Sequence, residues 1–274
     1  MIRVVIRSGL SSVILAGIFA TTAFVSAQNW SADHGVKIIA PSGVTKSGQL
    51  STDDFDEASP LVVTGDFNRD GILDIARISQ HAPDTFEPDH LIVLLGQTNG
   101  TFRTMSSTAM PVTPRALAGG DFNNDGISDL IIGNEDGTLA LFLGDGTGRF
   151  NSTHEIAHFE SVISIAVADF NNDGILDIAI SDWRGSSVTI LLGDGKGSFG
   201  HIWSFPLRMR GTKPHIAAAD FNGDSVLDLA VIYDEDEGDT FDVMLSNGNG
   251  TFTIDPEAGF RKDPNSHCST LVAP

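Results

Sequence analysis

A ten-residue segment recurs four times in this chain, and no other feature constrains its folding as strongly. Asp169-Phe170-Asn171-Asn172-Asp173-Gly174-Ile175-Leu176-Asp177-Ile178 has near-copies that begin at Asp66, Asp121 and Asp220. The starts lie 55, 48 and 51 residues apart. A period near 50 describes stacked supersecondary units, each too small to bury its own apolar surface. The second unit shows the common plan: Ala116 to Gly119, the segment at Asp121, Leu130-Ile131-Ile132, Leu139 to Leu143, then a glycine-rich stretch ending at Phe150. Runs of this length punctuated by Gly and Asn predict antiparallel strands joined by hairpins. Helical periodicity is nowhere sustained.

Four strands per unit at this period are what one propeller blade requires. The expected fold class is therefore all-β: a β-propeller, or partial propeller, of four-stranded antiparallel blades in four clear repeats. Stacking each sheet on its neighbour buries both faces, and curling the row into a ring protects its ends. Phe67, Phe122, Phe170 and Phe221, each directly after the first aspartate of a segment, are expected to fill the gaps between sheets.

The segments also have the pattern of a cation loop. Oxygen-bearing side chains fall at positions one, three, five and nine, and the apolar residue at seven offers only its backbone carbonyl. Calcium takes six to eight oxygens at about 2.3–2.6 Å, which a short loop with alternating ligands can supply. Thiolate and imidazole are absent, so zinc and copper match poorly. Position twelve carries Arg77, Ile132, Ile180 and Val231 instead of the Glu of a helix-flanked calcium hand. Gly71, Gly126 and Gly174 stand sixth, where positive φ costs glycine little, but Ser225 takes that place in the fourth loop and marks it as the weakest site. Ser128 replaces an apolar anchor at position eight without removing a ligand.

Composition agrees. With 29 Gly and a single Tyr beside 17 Phe, the chain has the turns and regularly placed aromatic of a repeat protein. The formal charge of −20 argues against nucleic acid or an anionic membrane as partner. Twelve of the 36 acidic residues sit in the four loops, so much of the acidity belongs to the expected metal sites. Residues 1–27 have the layout of an export signal, with Arg3 and Arg7 before an apolar run and Val25-Ser26-Ala27 as the cleavage pattern; an uncleaved anchor is the alternative. Residues 28–58 are a linker or a ring-closing strand, 59–260 the repeats, and 261–274 a partial repeat or closing strand. Cys268 is alone, which leaves calcium to do the stapling that disulfides do in other exported proteins.

One stretch invites a catalytic reading: His154-Glu155-Ile156-Ala157-His158 matches HExxH. On a helix the two imidazoles would share a face and bind zinc. The repeat register instead makes this an outer strand or interblade connection, where the rings would stand roughly 13 Å apart. No catalytic set is expected.

DFNxDGxxD followed by a GxGxF-type segment resembles the FG-GAP or VCBS repeats, as in the calcium-binding blades of the integrin α-subunit propeller. The resemblance spans roughly residues 59–260 and implies calcium held between the first two strands of a blade. Carried over by position, the implied ligands are Asp66, Asn68, Asp70, the Ile72 carbonyl and Asp74 in the first loop, and Asp121, Asn123, Asp125, Ile127 and Asp129 in the second. In the third they are Asp169, Asn171, Asp173, Ile175 and Asp177, and in the fourth Asp220, Asn222, Asp224, Val226 and Asp228. Up to four Ca2+ ions are thus expected. The function anticipated is an exported, non-catalytic binding or adhesion module for a protein or glycan, secreted, periplasmic or at the cell surface. The alternative is a polysaccharide-acting lyase or hydrolase, or its accessory module. The insertion Gln80 to His90 and the acidic run Asp234 to Asp239 are the first places to look for a partner surface.

Overall fold

The computed structural model describes residues 3–6, 26–27, 61–79, 88–207, 213–233, 240–254, 260–261 and 269–272. All regular structure in them is strand or turn. The first blade pairs β2 (Ser26–Ala27), β3 (Val62–Gly65), β4 (Asp74–Ser79), β5 (His90–Gly96) and β6 (Phe102–Ala109) in that order. The second runs β7 (Pro114–Gly120), β8 (Asp129–Asn134), β9 (Thr138–Gly144) and β10 (Phe150–His158). The third runs β11 (Val162–Ala168), β12 (Asp177–Asp182), β13 (Ser187–Gly193) and β14 (Phe199–Pro206). The fourth runs β15 (Pro214–Ala219), β16 (Asp228–Tyr233), β17 (Thr240–Ser246) and β18 (Phe252–Ile254), with β19 (Phe260–Arg261) on the same edge of β17 as β18. Within the four strands of each blade every pairing is antiparallel between consecutive strands, so each blade is a meander.

Of the expected terminal segments, most lies outside the described residues, as do Cys268, the Asp234–Asp239 run and residues 80–87 of the insertion. β1 (Arg3–Ile6), within the expected leader, pairs antiparallel with β20 (Ser269–Val272), apart from the four blades.

Burial follows from the stacking. β8 and β12 are buried at all six positions, because each of these strands is covered on both faces. Their near-continuous apolar runs are the sequence mark of that environment. Val63, Ala76 and Val93 of the first blade meet Leu117, Leu130 and Ile132 of the second. Ile131 and Leu141 meet Val162, Ile178 and Ile180 of the third, and Ala179 and Ile190 meet Leu229, Val231 and Tyr233 of the fourth. The first strands β3, β7, β11 and β15 are successive neighbours. These are four blades of a β-propeller, stacked in chain order.

The phenylalanines at position two do fill the gaps. Phe67, Phe122 and Phe170 are 1%, 1% and 0% exposed, whereas Phe221, with no fifth blade beyond it among the described residues, is half-buried. Truncating Phe122 or Phe170 to Ala is expected to cost about 3–5 kcal/mol and Phe221→Ala clearly less, measured by denaturant unfolding.

Candidate metal centre

Each loop is shaped by its own polar side chains. Asp66 accepts the backbone N–H of Asp70 on one oxygen (3.1 Å) and that of Gly71 on the other (2.8 Å). Asn68 Oδ1 also accepts the Asp70 N–H, at 3.0 Å, while its Nδ2 donates to Asp70 Oδ2 at 2.9 Å. The second oxygen of Asp70 accepts the Ile72 N–H at 2.8 Å. Short Asx side chains bonding forward to the backbone make a tight turn out of a sequence with no ladder partner. The same set recurs at Asp121, Asn123 and Asp125, at Asp169, Asn171 and Asp173, and at Asp220, Asn222 and Asp224. The N–H groups of Ile127, Ile175 and Val226 are each taken by the fifth-position carboxylate of their own loop.

Two positions in each loop take the left-handed conformation, and the sequence disclosed only the sixth. Position four is left-handed as well: φ is 61° at Arg69, 56° at Asn124, 60° at Asn172 and 82° at Gly223. At position six it is 78° at Gly71 and 69° at Ser225. The fourth loop has exchanged its glycine from six to four, so every loop carries one non-glycine residue at positive φ. Backbone strain therefore does not single out the fourth loop as Ser225 alone suggests. Asn adopts this region more readily than Arg or Ser, which favours the second and third loops.

The ninth aspartate has a structural task that sequence alone did not reveal. Asp74, Asp129, Asp177 and Asp228 open β4, β8, β12 and β16 and are all 0% exposed. Asp74 Oδ2 accepts the Phe67 N–H at 2.9 Å, and Oδ1 accepts the Gly96 N–H at 2.8 Å. Asp129 holds Phe122 and Gly144, Asp177 holds Phe170 and Gly193, and Asp228 holds Phe221 and Ser246 in the same way. One carboxylate thus ties the loop to the end of the third strand. In the first three blades glycine fits closely there, since a Cβ on Gly96, Gly144 or Gly193 would fall 2.4, 2.5 and 2.3 Å from the carbonyls of Leu73, Ser128 and Leu176, whereas the fourth blade carries Ser246 at that place. Their recurrence ahead of the closing hairpin was the available signal.

The donor set fits a hard cation in chemistry and charge. It is all oxygen, and no lysine or arginine ion pair is made by a loop aspartate among the described residues; Arg69 Nη2 donates to the Asp125 carbonyl (3.2 Å) instead. No three His, Cys, Asp or Glu side chains among the described residues converge into a ready cage. The first- and fifth-position carboxylates are held on the loops' own amides, with one backbone N–H on each oxygen of Asp66 but two on Asp220 Oδ1, from Gly223 and Asp224. Burial raises Asp74, Asp129 and Asp177 from 3.8 to about 6, against the pull of their two amide bonds, and the neighbouring first- and fifth-position aspartates push the same way as burial. Asp228 is raised for the same first reason.

His154 and His158 lie on β10, the outer strand, as the register required. His154 Nε2 is 3.3 Å from the Gly197 carbonyl and His158 Nδ1 is 3.5 Å from Glu155 Oε1, so the two rings face different partners. At the end of the blades opposite the loops, an open groove of about 640 Å³ lies between the second and third blades. Asp136, His158, Phe159, Glu160, Asp182 and Thr189 are among its lining residues.

Stacked antiparallel blades with an Asp-rich turn between the first two strands define a repeat protein of the propeller class. The FG-GAP-like repeat family is matched over residues 66–132, 121–180 and 169–231, and the chain belongs to it. Among solved structures it is similar to an Agrocybe aegerita lectin described as recognising non-reducing terminal N-acetylglucosamine, with TM-score 0.50 and 19% identity over 72% of this chain and 51% of that one. It is also similar to BBS1N in complex with ARL6DN, with TM-score 0.42 and 15% identity over 72% of this chain and 56% of that one. The chain spans about half the length of these structures. No curated protein matches it.

The raised carboxylates have a sign that can be tested in the chelated protein. A group whose folded pKa of about 6 exceeds its ordinary 3.8 binds its proton more tightly when folded, so its stabilising contribution is complete below 3.8 and lost as pH rises through 6. The unfolding midpoint in chelator is expected to rise as pH falls from about 7 to about 5, and to rise less in the Asp129→Asn, Asp177→Asn double variant.

Proposed function

We propose that the chain is an exported, calcium-stabilised propeller module that binds a protein or glycan and carries out no catalysis. The observation that carries the metal reading is the set of four fully buried ninth-position carboxylates, each beside two further loop aspartates and none paired with a cationic side chain among the described residues. Ions at these loops would be held by Asp66, Asn68, Asp70, the Ile72 carbonyl and Asp74, and by the matching residues of the other three. Calcium would supply the positive charge that lets three carboxylates share one turn. The fourth loop remains the expected weakest site, on a different ground from Ser225: loops one to three are each covered by the next blade's closing hairpin, and the fourth is not among the described residues.

The binding reading is supported by the propeller fold, which the chain shares with a lectin, and by the export signal read from the sequence. The end opposite the loops is the surface we favour. It carries the open groove, and β4 and β16 end there while β5 and β17 begin there. Asp136, Glu160 and Asp182 make the lining of the groove acidic and Ser187, Thr189 and Ser204 add hydroxyls, a combination suited to a polar ligand. The extended setting of His154-Glu155-Ile156-Ala157-His158 supports a non-catalytic module over a zinc peptidase.

Calcium is expected to raise the melting midpoint of the chelated chain by several degrees, with magnesium less effective. A chelated chain as heat-resistant as the loaded one sinks the metal reading. On a glycan array and in parallel assays of polysaccharide cleavage, the expected result is retention without cleavage. Turnover of an acidic polysaccharide by the loaded chain overturns the non-catalytic reading in favour of a lyase or hydrolase.

A further inference from the structure

We propose that the closing hairpin of each following blade is a positioning element for the metal loop before it, so that cation binding in loops one to three and docking of adjacent blades reinforce each other, while the fourth loop stands alone. This rests on the metal reading above and adds the residues that regulate it.

The position-two phenylalanine lies between the first and second expected ligands, as Phe67 does between Asp66 and Asn68. Its N–H is taken by the ninth aspartate of its own loop, at 2.9 Å for Phe67, 3.1 Å for Phe122 and 2.9 Å for Phe170. Its carbonyl is taken by the next blade: Gly148 donates to Phe67 at 3.0 Å, Gly197 to Phe122 at 3.0 Å and Gly250 to Phe170 at 3.2 Å. Its ring is met edge-to-face by the phenylalanine that ends the same hairpin, with centroids 5.5 Å apart for Phe67–Phe150, 5.9 Å for Phe122–Phe199 and 5.6 Å for Phe170–Phe252. Position four adds a side-chain contact: Arg69 reaches the Asp125 carbonyl at 3.2 Å, and the Asn124 amide lies over Gly195, where a Cβ would come within 2.6 Å of it.

One residue therefore has its N–H on a ligand carboxylate and its carbonyl and ring on the neighbouring blade. A cation that orders the ligands fixes the peptide unit on which the hairpin docks, and a docked hairpin removes freedom the loop would otherwise lose on binding. Linkage makes the two effects equal in size. The pattern breaks at both ends in a way that supplies controls. Phe221 follows the first aspartate of the fourth loop but pairs with no ring among the described residues, and Phe102 ends a hairpin with no described loop before it.

The test uses the full-length chain with calcium as probe, counting bound ions by native mass spectrometry and following amide hydrogen exchange with and without the metal. On adding calcium, exchange of the Gly148, Gly197 and Gly250 amides is expected to slow, and that of Gly100 in the first hairpin to stay unchanged. Phe150→Leu, Phe199→Leu and Phe252→Leu are each expected to weaken one ion about three- to tenfold, while Phe102→Leu leaves all four as in the parent. If the parent binds calcium, but the three glycine amides do not respond and the leucine variants hold every ion as tightly, the coupling is wrong and the metal reading survives. A parent chain that takes up no calcium overturns both. Should a leucine variant fail to fold, exchange in the unaltered protein decides.

Discussion

A carboxylate shut away from solvent joins the three parts of every blade. Asp74, Asp129, Asp177 and Asp228 each accept one amide from the loop they close and one from the end of the third strand. Removing such a group strands two buried donors, a cost of about 1–3 kcal/mol for each. The amide bonds favour the charged form, yet burial outweighs them and the other loop aspartates work against it as well. The same residue that builds the blade thus concentrates negative charge where a cation would relieve it.

Stacking the blades depends on what this carboxylate holds in place. Because the Phe67 N–H is fixed on Asp74, its ring projects into the gap and its carbonyl faces the next hairpin. Small residues then let the sheets close. A Cβ on Gly133 would lie 2.3 Å from Val162, and one on Gly120 would lie 2.7 Å from Leu176. Ser128, which the sequence marked as the loss of an apolar anchor, sits against Gly65, where a Cβ would be 3.3 Å from its hydroxyl. A smaller residue at that site keeps the contact between the first two sheets.

What the sequence made legible was what each repeat carries within itself. Strand order, the turn at each Asp-rich segment and the phenylalanine in the gap all follow from patterns that four copies repeat, so a departure in one copy is corrected by the others. The setting of His154 and His158 was legible for the same reason, since register outranked a five-residue motif. What stayed hidden depends on contacts between copies or across a blade. The partner of Phe67 is Phe150, in the next repeat, and the partner of Asp74 is an amide 22 residues on. The left-handed turn at position four was masked because Arg69, Asn124 and Asn172 are not glycine. Only Gly223 gave a hint, and it read as a defect at Ser225 instead of an exchange between two positions.

The two ends of the stack answer to different constraints. At the loop end, nearly every polar atom of the repeated segment is committed to shaping a turn, and the hairpin beside it is committed to the loop before it. Variation there disturbs two blades at once. The opposite end holds turns that differ from blade to blade: Asp136 is held by the Thr138 amide and hydroxyl, while Asp182 accepts the amides of Glu160, Ser161 and Gly185. The Thr138 bonds keep the Asp136 carboxyl below its ordinary value, so the mouth of the groove stays anionic across the neutral range. These turns are held by their own hydrogen bonds and lie outside the repeated Asp-rich segment. A module built this way can change what it recognises at one end without loosening the joints at the other.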